Sequence, residues 1–334
     1  MKAVALISGG LDSRLAAKLV KAQGVDVIPL TFTIPFFHKI KKAPLASCDK
    51  DALIQRDLGC QLRNINLGDD FLEVVKKPRH GYGANLNPCI DCKILMLRKA
   101  AELMKDTEAK FIITGEVLGQ RPMSQHKDAL VKIEKEAGLE GLVLRPLSAK
   151  LLAKTMPERE GWVNRDKLMD FCGRTRSPQM ELAKVLGIED YPNPAGGCLL
   201  TDPLFAKKLK DLMSFSELNL ANIELLKSGR FFRLKPSAKL IVGRNDAENN
   251  HLASLAQEGD YLFYPGQDLA GPTSLGRGSF DQGLIRLSCA ITSSYCDLNG
   301  ALEADIFYKR LPADNEEFFK AAPIDRESLQ EFRR

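Results

Sequence analysis

Ser8-Gly9-Gly10-Leu11-Asp12-Ser13 is the feature that most restricts what this chain can fold into. It follows directly on an alternating, then apolar, run at residues 2–7. It opens a stretch at 11–22 whose apolar positions Leu11, Leu15, Ala16, Leu19 and Val20 fall at helical spacing. The pattern predicts strand, tight turn and helix. At such a junction backbone N–H groups and a helix N-terminus can cradle an anion; the glycines admit a phosphate closely and the two serines add donors. Asp12 would repel a bare phosphate, so its presence predicts Mg²⁺ bridging carboxylate and phosphate oxygens. The plainer reading is a glycine turn with a capping aspartate. The string is not a Walker loop, because that spacing and its lysine are absent.

Further strands are expected at 25–32, 61–67, 110–114 and 141–144, with helical patterns between them, notably 92–104 and 124–137. Strands alternating with helices predict a parallel sheet covered on both faces, with its ligand beyond the carboxyl ends of the strands. After residue 147 short helices are expected at 165–171, 178–186 and 203–213, interrupted by the turn-rich 191–198. From residue 229 the pattern reads strand (231–234), strand (240–242), helix (247–257) and strand (261–264), a separate small α/β domain. The boundaries expected are 1–190 for a nucleotide-binding domain with a helical extension, 191–228 for a linker with helices, and 229–334 for the small domain. At 334 residues, with 44% hydrophobic and 27% charged residues, two ordinary globular domains are accommodated. No run approaches a membrane span and the N-terminus does not read as a signal peptide, so a cytoplasmic location is expected.

The Ser-Gly-Gly-x-Asp-Ser string resembles the signature of the PP-loop ATP pyrophosphatases. That resemblance implies a HUP-type fold, ATP cleaved between its α and β phosphates, and AMP passed to a substrate oxygen. A second stretch, Thr114-Gly115-Glu116-Val117-Leu118-Gly119-Gln120, with Ser124-Gln125 and then Leu144-Arg145-Pro146-Leu147, resembles the tRNA 4-thiouridine synthetase family ThiI over about residues 1–190. The nucleotide site so implied comprises Ser8, Gly9, Gly10, Asp12, Ser13, Thr31, Phe32, Thr114, Gly115, Glu116 and Gln120, with ATP and Mg²⁺ as cofactors and Asp12 catalytic. The implied reaction is tRNA uridine thiolation. Rival readings are a PP-loop amidase or sulfur-insertion enzyme acting on a small molecule, and an RNA-binding protein whose nucleotide site is a switch.

One departure concerns sulfur. Where ThiI enzymes carry a cysteine in Pro-Glu-Tyr-Cys-Gly, this chain reads Pro157-Glu158-Arg159-Glu160-Gly161, and a carboxylate at Glu160 cannot hold a persulfide. Asn87-Pro88-Cys89-Ile90-Asp91-Cys92 offers a replacement: two cysteines at a helix start, where thiol pKa values fall. Cys198, in a glycine turn, is expected to approach them. Cys89, Cys92 and Cys198 would hold an iron–sulfur cluster, [4Fe–4S] on three cysteines with one open iron, as in the cluster-dependent tRNA thiolases related to ThiI and TtuA. Alternatives are a zinc knot completed by Cys172 or His80, a persulfide, or simple burial. Cys48, Cys60, Cys172, Cys289 and Cys296 stand singly and read as packing residues; His38, His80, His126 and His251 lack metal spacing and read as surface or packing residues. Trp162 reads equally as core or as a base-stacking platform; Arg174, Arg176 and Lys154 read as solvated charge or phosphate contacts.

Formal charge is +5, but five basic residues and no acidic one lie between 230 and 244. ThiI places an RNA-binding THUMP module before its PP-loop; this chain begins at the PP-loop, so another surface is expected to hold tRNA. Residues 229–245 resemble the NFACT-R domain. That resemblance implies RNA contacts from Arg230, Arg233, Lys239 and Arg244 and base stacking by Phe231 or Phe232. The expected partners are tRNA and a sulfur donor, either sulfide or a persulfide carrier; the sequence also leaves room for an oligomer.

Overall fold

In a computed structural model, residues 1–36, 50–191, 198–313 and 315–334 are described. His38, Cys48 and most of the turn before Cys198 lie outside them. The chain divides into two compact units, 1–201 and 202–334. Cys198 thus goes with the first unit, and the helices of 203–226 go with the second.

The first unit is a five-stranded parallel sheet covered by helices, the fold class expected. Its elements are β1 (Lys2–Leu6), α1 (Leu11–Lys21), β2 (Asp26–Thr33), α2 (Lys50–Leu58), β3 (Arg63–Asn66), α3 (Gly68–Lys76), α4 (Cys89–Asp106), β4 (Phe111–Thr114), α5 (Lys127–Ala137), β5 (Val143–Leu144), α6 (Met156–Arg159) and α7 (Ser177–Val185). The strand order is β3-β2-β1-β4-β5, so the chain reverses its winding direction beside β1. In such sheets the ligand crevice lies there, at the strands' carboxyl ends. Register sets Leu6 beside Leu30 and Thr114, which brings the ends of β1, β2 and β4 to one level. One core packs α1 against one sheet face through Leu11, Leu15, Ala16 and Val20. A second packs Ile94, Leu97 and Ala100 of α4 against the other, with Val4 and Ile112. Both faces are therefore buried over the middle of the sheet, which is why β1, β4 and β5 are almost wholly apolar, whereas the edge strand β3 is polar and largely exposed.

The second unit comprises α8 (Pro203–Ser214), α9 (Leu220–Leu226), β6 (Arg230–Lys235), β7 (Ala238–Val242), α10 (Asp246–Leu255), β8 (Tyr261–Pro265), β9 (Ser274–Gly278), α11 (Gln282–Ser293), β10 (Ala304–Arg310), β11 (Glu317–Ala321) and α12 (Arg326–Phe332). Its six strands pair antiparallel in the order β11-β10-β8-β9-β7-β6. Phe232, Leu240, Phe263 and Ile306 meet Leu284, Ile285 and Cys289 of α11 in one core. Gly229, at φ 66°, lets the chain enter β6 beside β7: a Cβ there would lie 2.5 Å from the Val242 carbonyl oxygen.

Candidate functional site

The loop from Ser8 to Ser13 folds onto itself. Ser13 Oγ donates to the Gly10 carbonyl at 2.9 Å and accepts from the Ser8 N–H at 3.3 Å, while Ser8 Oγ accepts from the Gly10 N–H at 3.3 Å. Gly9 sits at φ 85°, which favours glycine. No side chain caps the N-terminus of α1, so its first N–H groups remain open to an anion. Asp12, in that first turn, accepts from Gln120 Nε2 through Oδ2 at 3.0 Å, and its Oδ1 is buried without a hydrogen-bond partner. A buried, unpartnered carboxylate oxygen beside an anion cradle fits a bound cation such as Mg²⁺.

Gly115 brings the end of β4 onto this loop. A Cβ at that position would lie 2.5 Å from both Cα and N of Ser13, so only glycine allows the approach. Thr31 and Phe32 close β2 at the same edge, partly buried. Thr114 is buried, and its hydroxyl donates to Glu116 at 3.2 Å.

Glu116 is expected from the sequence to bind the nucleotide; its Oε2 accepts from Arg145 and Thr114 within the protein, while its Oε1 is buried with no hydrogen-bond partner. Arg145 Nε donates to Oε2 at 3.0 Å, Lys93 Nζ lies 3.3 Å from Oε1, and Arg145 also pairs with Glu134. Burial would raise the Glu116 pKa, yet Lys93 and Arg145 outweigh it and hold the carboxyl down at about 2. Through Lys93, Glu116 ties the first turn of α4 to the nucleotide edge.

That first turn carries Cys89 and Cys92. Since α4 delivers the chain to the start of β4, it runs against the strands and begins at their carboxyl ends. Cys198 is brought near by backbone bonds: Leu199 N–H to the Phe36 carbonyl (3.0 Å) and Leu86 N–H to the Leu200 carbonyl (3.1 Å). Asn87 Nδ2 donates to Cys89 Sγ at 2.9 Å. The three sulfurs share one electrostatic neighbourhood. Burial pushes the Cys92 thiol up to about 12 and Cys198 up to about 11; negative charge on Cys89 adds to both, while Arg121 draws both down. The expectation that the helix start lowers these pKa values fails for Cys92, because desolvation exceeds the field of one helix terminus. Among the described residues no three His, Cys, Asp or Glu side chains stand in a metal-holding arrangement.

His80 is not part of a zinc knot. Its Nδ1 faces Asp91 at 3.0 Å and its Nε2 faces Glu136 at 2.7 Å. Cys172 is exposed and bridges through its backbone to Leu118. Trp162, partly buried, stacks on Phe111 against the core.

The basic segment of the second unit corrects the sequence expectation. Arg233 is buried, bound to Asp211 at 2.5 Å and Glu217 at 2.9 Å; Lys239 is buried on Glu217 at 2.8 Å. Neither side chain reaches solvent to meet RNA. Phe231 and Phe232 are both buried and stack on no base. The neutralising carboxylates come from α8 and the loop after it, remote in sequence, so the segment's own composition could not reveal them. Arg230 and Arg244 keep access to solvent. Sequence reasoning also missed Arg14, fully buried with Nε 2.5 Å from Asp57 and its other nitrogens on the carbonyls of Glu189 and Asp190. Only its place inside the apolar run of α1 hinted at a structural role.

Residues 1–151 match the family model described as thiamine biosynthesis protein (ThiI), and residues 229–333 match the NFACT protein RNA binding domain. A probable tRNA sulfurtransferase of Thermococcus kodakarensis is 30% identical over 128 residues, covering 36% of this chain and 30% of its own length. One from Methanosarcina mazei is 35% identical over 130 residues, covering 36% of this chain and 29% of its own. The chain therefore spans less than a third of the length of these curated relatives. A solved 4-thiouridine synthetase in complex with RNA and bound ATP superposes at a TM-score of 0.39 with 22% identity, covering 68% of this chain and 52% of that one.

Proposed function

We propose that this chain, which is ThiI-like over residues 1–151 and ends in an NFACT-type RNA-binding domain, is an ATP-dependent tRNA uridine thiolase that makes 4-thiouridine. The observation that carries the reading is the meeting, at one edge of the parallel sheet, of the anion cradle of Ser8–Ser13, the unpartnered oxygen of Asp12 and the cysteines of α4. A nucleotide-only switch would need the first two; the thiols add a sulfur chemistry.

In this reading Ser8, Gly9, Gly10 and Ser13 hold the ATP phosphates, and Asp12 holds Mg²⁺, which would neutralise charge on the departing pyrophosphate. The uracil oxygen attacks the α phosphate and pyrophosphate leaves. A sulfur nucleophile on the side of Cys89, Cys92 and Cys198 then forms the C–S bond, and AMP departs with the C–O electron pair. Where that sulfur is the outer atom of a persulfide, a second of the three thiols attacks the inner sulfur, the thiouridine leaves with the S–S electron pair, and the disulfide so formed is reduced by an external dithiol. Gln120 orients Asp12, and the Lys93–Glu116–Arg145 chain fixes α4 relative to the loop, so the work of the protein is alignment and charge stabilisation. A persulfide on one of the three cysteines would carry the sulfur; an iron–sulfur cluster, were one to assemble, would be held by Cys89, Cys92 and Cys198 and would supply sulfide there. The preference for 4-thiouridine rests on the Thr114 to Gln120 stretch, since either uracil carbonyl could be adenylated alike.

AMP release measured with and without tRNA, together with mass spectrometry of tRNA nucleosides from a deletion strain, tests this. The expected result is tRNA-dependent AMP release and loss of 4-thiouridine. Release driven by a small molecule without tRNA would overturn the substrate. Loss of 2-thiouridine with unchanged 4-thiouridine would overturn the position while leaving a thiolase.

A further inference from the structure

Four cationic side chains of the second unit converge on one end of the β6–β7 ladder. Arg230 opens β6 and is paired in register with Val242, while Arg244 lies just past the end of β7. Arg230 Nη1 donates to the Gly243 carbonyl at 3.0 Å, and its guanidinium rests over the Tyr295 ring, 4.3 Å from the centroid. Lys208 reaches the same corner from α8: its Nζ donates to the carbonyls of Gly229 at 3.3 Å and Leu226 at 3.5 Å. Arg333, just beyond α12, pairs through its backbone with Phe232 on the edge strand β6 and is exposed.

The counter-charge at this corner is small. Glu248 pairs with Arg244 at 2.5 Å and also accepts the backbone N–H groups of Gly229 (3.1 Å) and Arg244 (3.0 Å). Asp202 influences Lys208 from a distance but caps α8 through the Phe205 N–H. The remaining positive charge acts on its own members. Burial first, then Arg244 and Arg333, push the Lys208 amine down to about 8; burial and the same two arginines also lower Arg230. Arg233 and Lys239, close by in sequence, contrast with this corner because Asp211 and Glu217 neutralise them.

We propose that Lys208, Arg230, Arg244 and Arg333 form a binding site for a phosphodiester of the RNA backbone. The inference rests on the reading that this chain binds tRNA, and it locates the contact. Guanidinium groups suit phosphate because their planar fork donates two parallel hydrogen bonds. An anion seated here would relieve the mutual repulsion of the four cations. The open corner, with Arg244 half exposed and Arg333 exposed, favours a group carried on a long polymer over a small enclosed anion. Three of the four residues fall within the segment matching the RNA-binding domain; Lys208 lies outside it and joins through the fold.

The test titrates an unmodified tRNA transcript against the full chain over a salt series, using wild type, the Arg244→Gln/Arg333→Gln double variant and Lys320→Gln as an exposed control. Each phosphate that a variant no longer neutralises should flatten the log–log salt slope by roughly 0.7 to 0.9, so the double variant should be shallower by about 1.5 and the control unchanged. Acetylation of Lys208, mapped by mass spectrometry near pH 8, should fall when tRNA is bound. Unchanged slope and Lys208 reactivity, with wild type binding tRNA normally, would overturn the site alone. A wild-type chain without affinity for tRNA would overturn the underlying reading and the site with it. Inorganic phosphate that displaces tRNA and protects Lys208 far better than chloride of equal ionic strength would reassign the site to a free anion.

Discussion

Gln120 donates its side-chain N–H to Asp12 at 3.0 Å, joining the loop after β4 to the first turn of α1 across 108 residues of sequence. The bond holds one carboxylate oxygen and leaves the other, Oδ1, unpaired. Asp12→Ala should therefore abolish tRNA-dependent pyrophosphate release while the thermal unfolding midpoint stays within a few degrees of wild type. Turnover retained in that variant would remove Asp12 from the chemistry.

Gly115→Ala inserts a methyl group 2.5 Å from the backbone of Ser13. Backbone cannot yield as a side chain can, and overpacking of this kind costs about 1–3 kcal/mol. The expected outcome is weaker ATP binding by calorimetry together with a lower urea midpoint. Gly141→Ala is a useful contrast: a Cβ there meets nothing within 4 Å, and only its positive φ of 72° opposes the change.

Glu116 sits with Arg145 in a buried pair, so Glu116→Gln leaves a buried guanidinium without its full counter-charge and should cost about 3–5 kcal/mol. The carboxyl is held down at about 2, below an unfolded value near ~4.3. Its stabilising contribution is thus fully present above the unfolded value and is lost as pH falls from there toward 2. Denaturant titrations from pH 5 to pH 2.5 should show wild type losing more stability than Glu116→Gln over that window. Parallel pH profiles would sink the argument.

Cys92 and Cys198 are held as protonated thiols at neutral pH by burial, whereas Cys172 is exposed. Iodoacetamide at pH 8 should label Cys172 first, and labelling of Cys92 should climb steeply only toward higher pH. Iron and sulfide retained through anaerobic purification, lost in Cys89→Ala, Cys92→Ala or Cys198→Ala and kept in Cys172→Ala, would mark the three cysteines as cluster ligands. One zinc per chain and no iron after anaerobic reconstitution would refute the cluster, and activity without any metal would favour a persulfide.

Arg233→Gln should act on stability and not on RNA binding. Its partners Asp211 and Glu217 would lose their shared buried cation, at a cost of about 3–5 kcal/mol seen in the urea midpoint. At temperatures where the variant remains folded, its tRNA salt dependence should match wild type. A flattened slope would return Arg233 to the RNA surface.

The sequence by itself determined the parallel α/β unit and the strand, glycine turn and helix start at Ser8–Ser13. Those signals are local. A strand, two glycines and a helix start are contiguous in Ser8 to Ser13, and period and turn chemistry act over a few residues. Antiparallel β9, β10 and β11 were not legible, because short strands with glycine and charged residues carry weak periodicity. Tertiary structure alone decided the fate of charge. Whether Glu116 meets a nucleotide or Arg145, and whether Arg233 meets a phosphate or Asp211, depends on groups 22 to 29 residues away. Lys208 joins Arg230 and Arg244 only because α8 packs beside the start of β6. A charged side chain reads identically in sequence whether it is neutralised or left in excess; Coulomb energy depends on distance and burial, which only the folded chain supplies.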